Sequence, residues 1–227
     1  MTNPVLHYIH DPLCGWCYAA GPMAEAVAEA GIPVVLHGGG LWETATGLAP
    51  DKRAYIRGAD ARIAELTGVS FGAAYLDGLL GDADAVFWSR PTIAAILAAG
   101  TVEPGIELRM MHAIQHAHYV EGRRVVDAPV LTAVAASLGL ATDAFGQAFE
   151  TAAVDGHIAE TRRRMRDAGL RGFPGFLLER GGDLVRVDHE PFYGRPADFL
   201  RAVEALGGDG QRDHHRAGRP EGASSTR

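Results

Sequence analysis

The sequence predicts an α/β fold in which a βαβ unit and a ββα unit are separated by a long helical block. Three observations carry that prediction. An apolar run, Val5-Leu6-His7-Tyr8-Ile9, is followed by an Ala-rich stretch and then by Ile32-Pro33-Val34-Val35-Leu36-His37. Helical periodicity dominates residues 50–169, punctuated by Gly68, Gly81, Gly100 and Gly122 and by Pro91, Pro104 and Pro129. Strand character then returns on both sides of Gly181-Gly182, ahead of a last helical stretch.

Taken in order, residues 4–10 read as a first strand with apolar positions on both faces, hence a central one. Residues 17–30 read as a helix closed by Gly31 at the C′ position. The second strand, 32–37, carries Pro33 at its start, where the missing amide does least harm. A crossover helix between two strands implies that they run parallel. Gly38-Gly39-Gly40 lacks the spacing of a phosphate cradle and reads as a loop leaving the sheet. Helices are expected near 51–67, 71–79, 91–99, 104–120, 127–138, 142–150 and 153–168. Residues 175–179 and 184–187 form a hairpin around Arg180-Gly181-Gly182-Asp183, and a final helix covers 196–206. The expected division is therefore 1–45 for the first part of the α/β core, 46–169 for an all-helical insertion, and 170–206 for the second part. Residues 207–227 hold no apolar side chain larger than alanine, so a disordered tail is expected there.

At 227 residues, with 47% hydrophobic and 22% charged side chains, the chain can bury a substantial core. Its net charge of −7 argues against non-specific nucleic-acid binding, which needs a basic surface. The N-terminus shows neither a basic segment nor a long apolar one, and no apolar run is long enough to span a membrane. The expected address is the cytoplasm, where a cysteine pair is more often catalytic or metal-binding than a structural staple.

Chemistry concentrates in Asp11-Pro12-Leu13-Cys14-Gly15-Trp16-Cys17-Tyr18, which holds the two cysteines of the chain. A strand delivering C-x-x-C to a helix start places the first sulfur at free amides and at the positive end of the helix dipole, which favours its thiolate. The second thiol, about a turn inside, is near enough to close a disulfide. Zinc would need two further ligands, and no second C-x-x-C exists; His7, His10 and His37 are the nearest candidates, but the strand–helix setting favours redox chemistry over a metal site. His112, His116 and His118 lack the glutamate of a hydrolytic zinc motif and read as a half-exposed helix face. Arg162-Arg163-Arg164 reads as a solvated face. No metal and no resident cofactor are expected.

The order of elements, the Cys14-Gly15-Trp16-Cys17 pair and Gly172-Phe173-Pro174-Gly175 ahead of the hairpin resemble the DsbA-like branch of the thioredoxin superfamily. Segments 62–80 and 111–127 resemble the insertion of its cytoplasmic members. The resemblance implies a thioredoxin-like core with a helical insertion after the second strand, and a thiol–disulfide oxidoreductase or isomerase. It implies Cys14 as nucleophilic thiolate, Cys17 as the resolving thiol, and Pro174 as the cis-proline whose loop pairs with substrate. Trp16 and Phe173, on the two loops of the site, are the expected substrate contacts. Trp16 occupies the place where a histidine or proline would have declared an oxidant or a reductant, so the redox direction stays open. Expected partners are protein or small-molecule disulfides and thiols, with glutathione or a thioredoxin-type system recycling the pair. The alternative is a glutathione-dependent isomerase or transferase related to kappa-type enzymes, which generally replace the cysteine pair with a single serine-type residue.

Overall fold

The computed structural model describes residues 3–216. In chain order the elements are β1 (Val5–His10), α1 (Gly15–Glu29), β2 (Val34–Gly38), β3 (Thr46–Gly47), α2 (Pro50–Thr67), β4 (Val86–Phe87) and α3 (Ser89–Val102). There follow α4 (Glu107–Tyr119), α5 (Ala128–Ser137), α6 (Thr142–Thr151), α7 (Val154–Asp167), β5 (Gly175–Arg180), β6 (Asp183–Val187) and α8 (Pro196–Arg216). A π-helical turn covers Ala74–Leu79 and a 3-10 turn Glu190–Phe192.

The main sheet has the order β2-β1-β5-β6. Central β1 runs parallel to β2 and antiparallel to β5, with Ile9 opposite both His37 and Gly175. Alternation sends Leu6, Tyr8 and Phe176 to one face and Ile9 and Leu177 to the other. On the first face Tyr8 stacks on Phe176 at 4.5 Å, and Phe176 meets Phe199 of α8 at 4.9 Å. Each such buried aromatic contributes about 1.5–3 kcal/mol of hydrophobic stabilisation. On the second face Ile9 and Leu177 pack on Met165 of α7, so the sheet is covered on both sides. Gly181 and Gly182 both take positive φ, as a two-residue turn compatible with strand twist requires.

In the inserted block α3 is central, and Ala94, Ala95, Ala98 and Ala99 let its neighbours approach closely. A single apolar cluster runs from Leu6 and Tyr8 of the sheet through Met110 and Ile114 of α4 to Leu131 and Phe145 of the outer helices.

The structure departs from the sequence expectations in five places. α1 begins at Gly15, two residues before the expected start, because the C-x-x-C turn is itself helical. The block is not all-helical: Thr46 pairs with Phe87 and Gly47 with Val86 in a two-rung antiparallel ladder too short to leave a periodic signal. The expected 71–79 helix is a π turn, with the Leu80 amide on the Tyr75 carbonyl at 2.8 Å. Its wide turn keeps Tyr75, Leu79 and Leu80 all buried. His118 is buried against Tyr75 and Phe87 instead of sharing a half-exposed face, and His116 alone of the three is exposed. Finally, α8 continues to Arg216 instead of stopping at Leu206, since extending a formed helix costs no new nucleation. The expected disordered tail is thus helical over 207–216, and its remainder, 217–227, lies outside the described residues.

A Cβ built on Gly39 would lie 2.2 Å from the Phe173 ring, whereas Gly58, exposed within α2, has nothing within 4 Å. Gly39→Ala should therefore lower stability by about 1–3 kcal/mol, and Gly58→Ala should raise it by about 0.5–1 kcal/mol through helix propensity. Urea unfolding of the two variants checks both signs.

Candidate redox active site

The chain leaves β1 at His10 and turns through Asp11-Pro12-Leu13 into α1, with Cys14 as its N-cap residue. Buried Asp11 organises the turn. Its carboxylate accepts the Leu13 amide at 2.9 Å and the Leu41 amide at 2.7 Å. Burial pushes this carboxyl above the usual carboxylate range, against those two amides, which stabilise the ion. The Asp11 amide donates to Cys17 Sγ at 3.4 Å.

Cys14 and Cys17 are free thiols with unequal access, at 8% and 0% exposure. Burial pushes the Cys17 thiol well above its ordinary range, and the neighbouring Cys14 adds to the effect. The Cys14 thiol points at the Phe173 carbonyl at 3.9 Å, which joins the motif turn to the loop before β5. The Phe173-Pro174 bond is cis. Neutral hydroxyls tie down the first turn of α1: Tyr8 donates to the Cys17 carbonyl at 2.8 Å and Tyr193 to the Trp16 carbonyl at 3.4 Å.

The five residues singled out in the sequence therefore come together. Trp16, Phe173 and Pro174 line a groove of about 660 Å³ with Leu66, Arg186 and Tyr193. A second cavity of about 330 Å³ holds Cys14, Leu41, Arg162, Arg166, Arg171 and Phe173. Phe173 stands between the two. Its ring also packs against Gly39 and the Ile9–Met165–Leu177 cluster, so it is partly buried and not simply displayed on an exposed loop.

Three functional neighbours were not visible in the sequence. Arg162 is not a solvated residue: it donates to the Gly39 carbonyl at 2.9 Å and the Gly40 carbonyl at 2.5 Å, and pairs with Glu43 at 2.7 Å. Asp60 and Tyr75 reach the motif from the inserted block. A Cβ on Gly15 would lie 2.8 Å from Asp60 Oδ1, and the Tyr75 hydroxyl donates to Asp60 Oδ2 at 2.8 Å. Only a glycine after Cys14 admits this carboxyl, a constraint that no sequence spacing reveals. His7 and His37 do not join the thiols: they bond to each other at 2.9 Å on the α7 face, with Glu179 at 3.0 Å from His7. No group of three or more metal-ligating side chains is placed to hold an ion among the described residues. No described helix is long and apolar enough to cross a membrane.

The description of a DSBA-like thioredoxin domain matches residues 6–191. The chain belongs to this DsbA-like family. No curated protein matches it in sequence. Among solved structures it is similar to the cytosolic disulfide reductase DsbM from Pseudomonas aeruginosa, with 45% identity and a TM-score of 0.83, over 89% of this chain and 98% of that one. The same reductase solved with GSH matches at 43% identity and a TM-score of 0.82, over the same shares. A structure described as a "putative protein disulfide isomerase" from Nitrosomonas europaea matches at 26% identity and a TM-score of 0.76, over 94% and 100%. A DsbA-like domain with paired thiols at a helix start is a thiol–disulfide oxidoreductase, and that is the chemistry of this site.

In this DsbA-like site Arg162 holds the glycine loop on which Phe173 rests. Arg162→Met should lower stability by about 1–2 kcal/mol, because two carbonyls lose a charged donor. Glu43→Gln should change it by less than about 0.5 kcal/mol, because that pair is largely exposed. Thermal unfolding of both variants separates the two contributions.

Proposed function

We propose that this protein is a cytoplasmic disulfide reductase that draws its electrons from glutathione. The observation that carries the reading is the unequal burial of the two thiols, with Cys14 opening into the arginine-lined cavity. The Cys14 thiolate attacks a substrate disulfide, forms a mixed disulfide and releases one substrate thiolate. Cys17 then gives up its proton, attacks Cys14 Sγ and frees the second substrate thiol, which leaves a Cys14–Cys17 disulfide. Two glutathione thiols restore the reduced pair and depart as glutathione disulfide, so two electrons pass to the substrate. Pro174 presents a backbone edge without an amide donor, beside which a substrate strand lies, and Trp16 and Phe173 contact that strand.

Arg166 and Arg171 are exposed on the rim of the Cys14 cavity, where they attract the carboxylates of glutathione. The similarity to a cytosolic disulfide reductase, solved also with GSH, supports both the direction and the partner. The glutathione-dependent isomerase alternative needs no resolving thiol, and the buried Cys17 favours the reductase.

Cys14→Ser should abolish glutathione-driven insulin reduction, and Cys17→Ser should accumulate one mixed disulfide with glutathione per chain, read by intact mass. Full activity of Cys14→Ser would refute the reading. Replacing Arg166 and Arg171 together by Gln should raise the KM for glutathione about fivefold, with a smaller change in kcat, as two exposed ion pairs allow. Steady-state kinetics checks the split.

A further inference from the structure

We propose that Asp60 is a positioning residue of the redox pair: its carboxylate, held against Gly15 from α2, opposes the Cys14 thiolate and releases it on protonation. This rests on the oxidoreductase reading above and extends it to control of the nucleophile. Asp60 is 3% exposed, and Gly15 has no side chain to separate it from the first turn of α1. One carboxyl oxygen takes the Tyr75 hydroxyl, and no cation pairs with Asp60 among the described residues. The unpaired amides of that first turn are what a Cys14 thiolate relies on. A second anion touching the same turn, in poorly solvated surroundings, acts against the thiolate.

The groups facing Asp60 allow its charge to be read separately. Tyr75, from the π turn, and Tyr119, from α4, are held up by burial and stay neutral. His118 of α4, 5.2 Å from the Tyr75 ring, is held down to about 3 by burial and is also neutral. Arg57, on α2 itself, is bonded to Asp77 at 3.2 Å. The thiols of Cys14 and Cys17, from α1, complete the set, and burial holds Cys17 well above its ordinary range. The Asp60 carboxyl is pushed up to about 6 by burial, and the Tyr75 hydroxyl acts in the opposite direction. Asp60 therefore gains its charge in the range where Cys14 must react.

The test is the pH profile of Cys14 alkylation by iodoacetamide, followed by peptide mass on the full-length protein. The wild-type protein should show a depression of thiolate reactivity that sets in as pH rises through about 6, the Asp60 value. Asp60→Asn should remove that step and react about tenfold faster near neutral pH, the effect of about one pK unit from one nearby charge. Tyr75→Phe removes the donor that favours the ion, so the step should move to higher pH. A structural role alone would not move it. An Asp60→Asn profile within twofold of wild type, or a Tyr75→Phe step that does not move, overturns the proposal. If Asp60→Asn fails to fold, Tyr75→Phe decides alone. Alkylation uses no disulfide substrate, so such a result leaves the reductase reading standing; only loss of insulin reduction activity bears on that.

Discussion

The antiparallel pairing of β1 with β5 is the constraint on which the site depends. Because Ile9 lies opposite Gly175, the chain that leaves β1 and the chain that enters β5 occupy the same end of the sheet. Cys14 and the Phe173 carbonyl meet at 3.9 Å although 159 residues separate them. A one-residue slip would turn Tyr8 toward α7 and Ile9 toward α1, exchanging every buried contact on the two faces. It would also separate the motif turn from the proline loop. The catalytic geometry is thus specified by the same alternation that fills the core.

Around the two thiols the charges are arranged in opposition. Asp11 and Asp60 place buried carboxyls at the motif, while Arg162, Arg166 and Arg171 line the open side. The two acids differ in their support. Both oxygens of Asp11 accept backbone amides, so its role is to shape the turn. Asp60 has one phenolic donor and a glycine for its other neighbour. The first turn of α1 is anchored by neutral tyrosine hydroxyls on its carbonyls, which fix its position without adding charge.

Much of this was legible in the sequence, and the reasons differ by level. The strands, the crossover and the Gly-Gly hairpin were readable because period, turn chemistry and breakers all point one way there. The C-x-x-C and the proline loop were readable because their chemistry lies in contiguous residues. What was not readable depends on contacts between distant segments. Arg162 looks like any other member of an arginine run until α7 is laid across the glycine loop. Asp60 sits in a polar helix whose other acidic residues, Asp51 and Glu65, are exposed, and nothing local separates the three. The two-rung β3–β4 ladder and the π turn are too short for any periodic signal, and His118 is buried by the aromatic side chains of other elements.

The apolar cluster that passes without a break from Leu6 and Tyr8 to Phe145 has a consequence for how such a domain can change. The inserted helices and the sheet share side chains across their boundary, so the block cannot be lifted out to leave a self-sufficient smaller domain. Removing it would expose the α1 face and strip Gly15 of its buried neighbours. Exchanging it for the corresponding block of a relative would alter the surroundings of the cysteine pair as well as the substrate surface. In this architecture reactivity and recognition are inherited together.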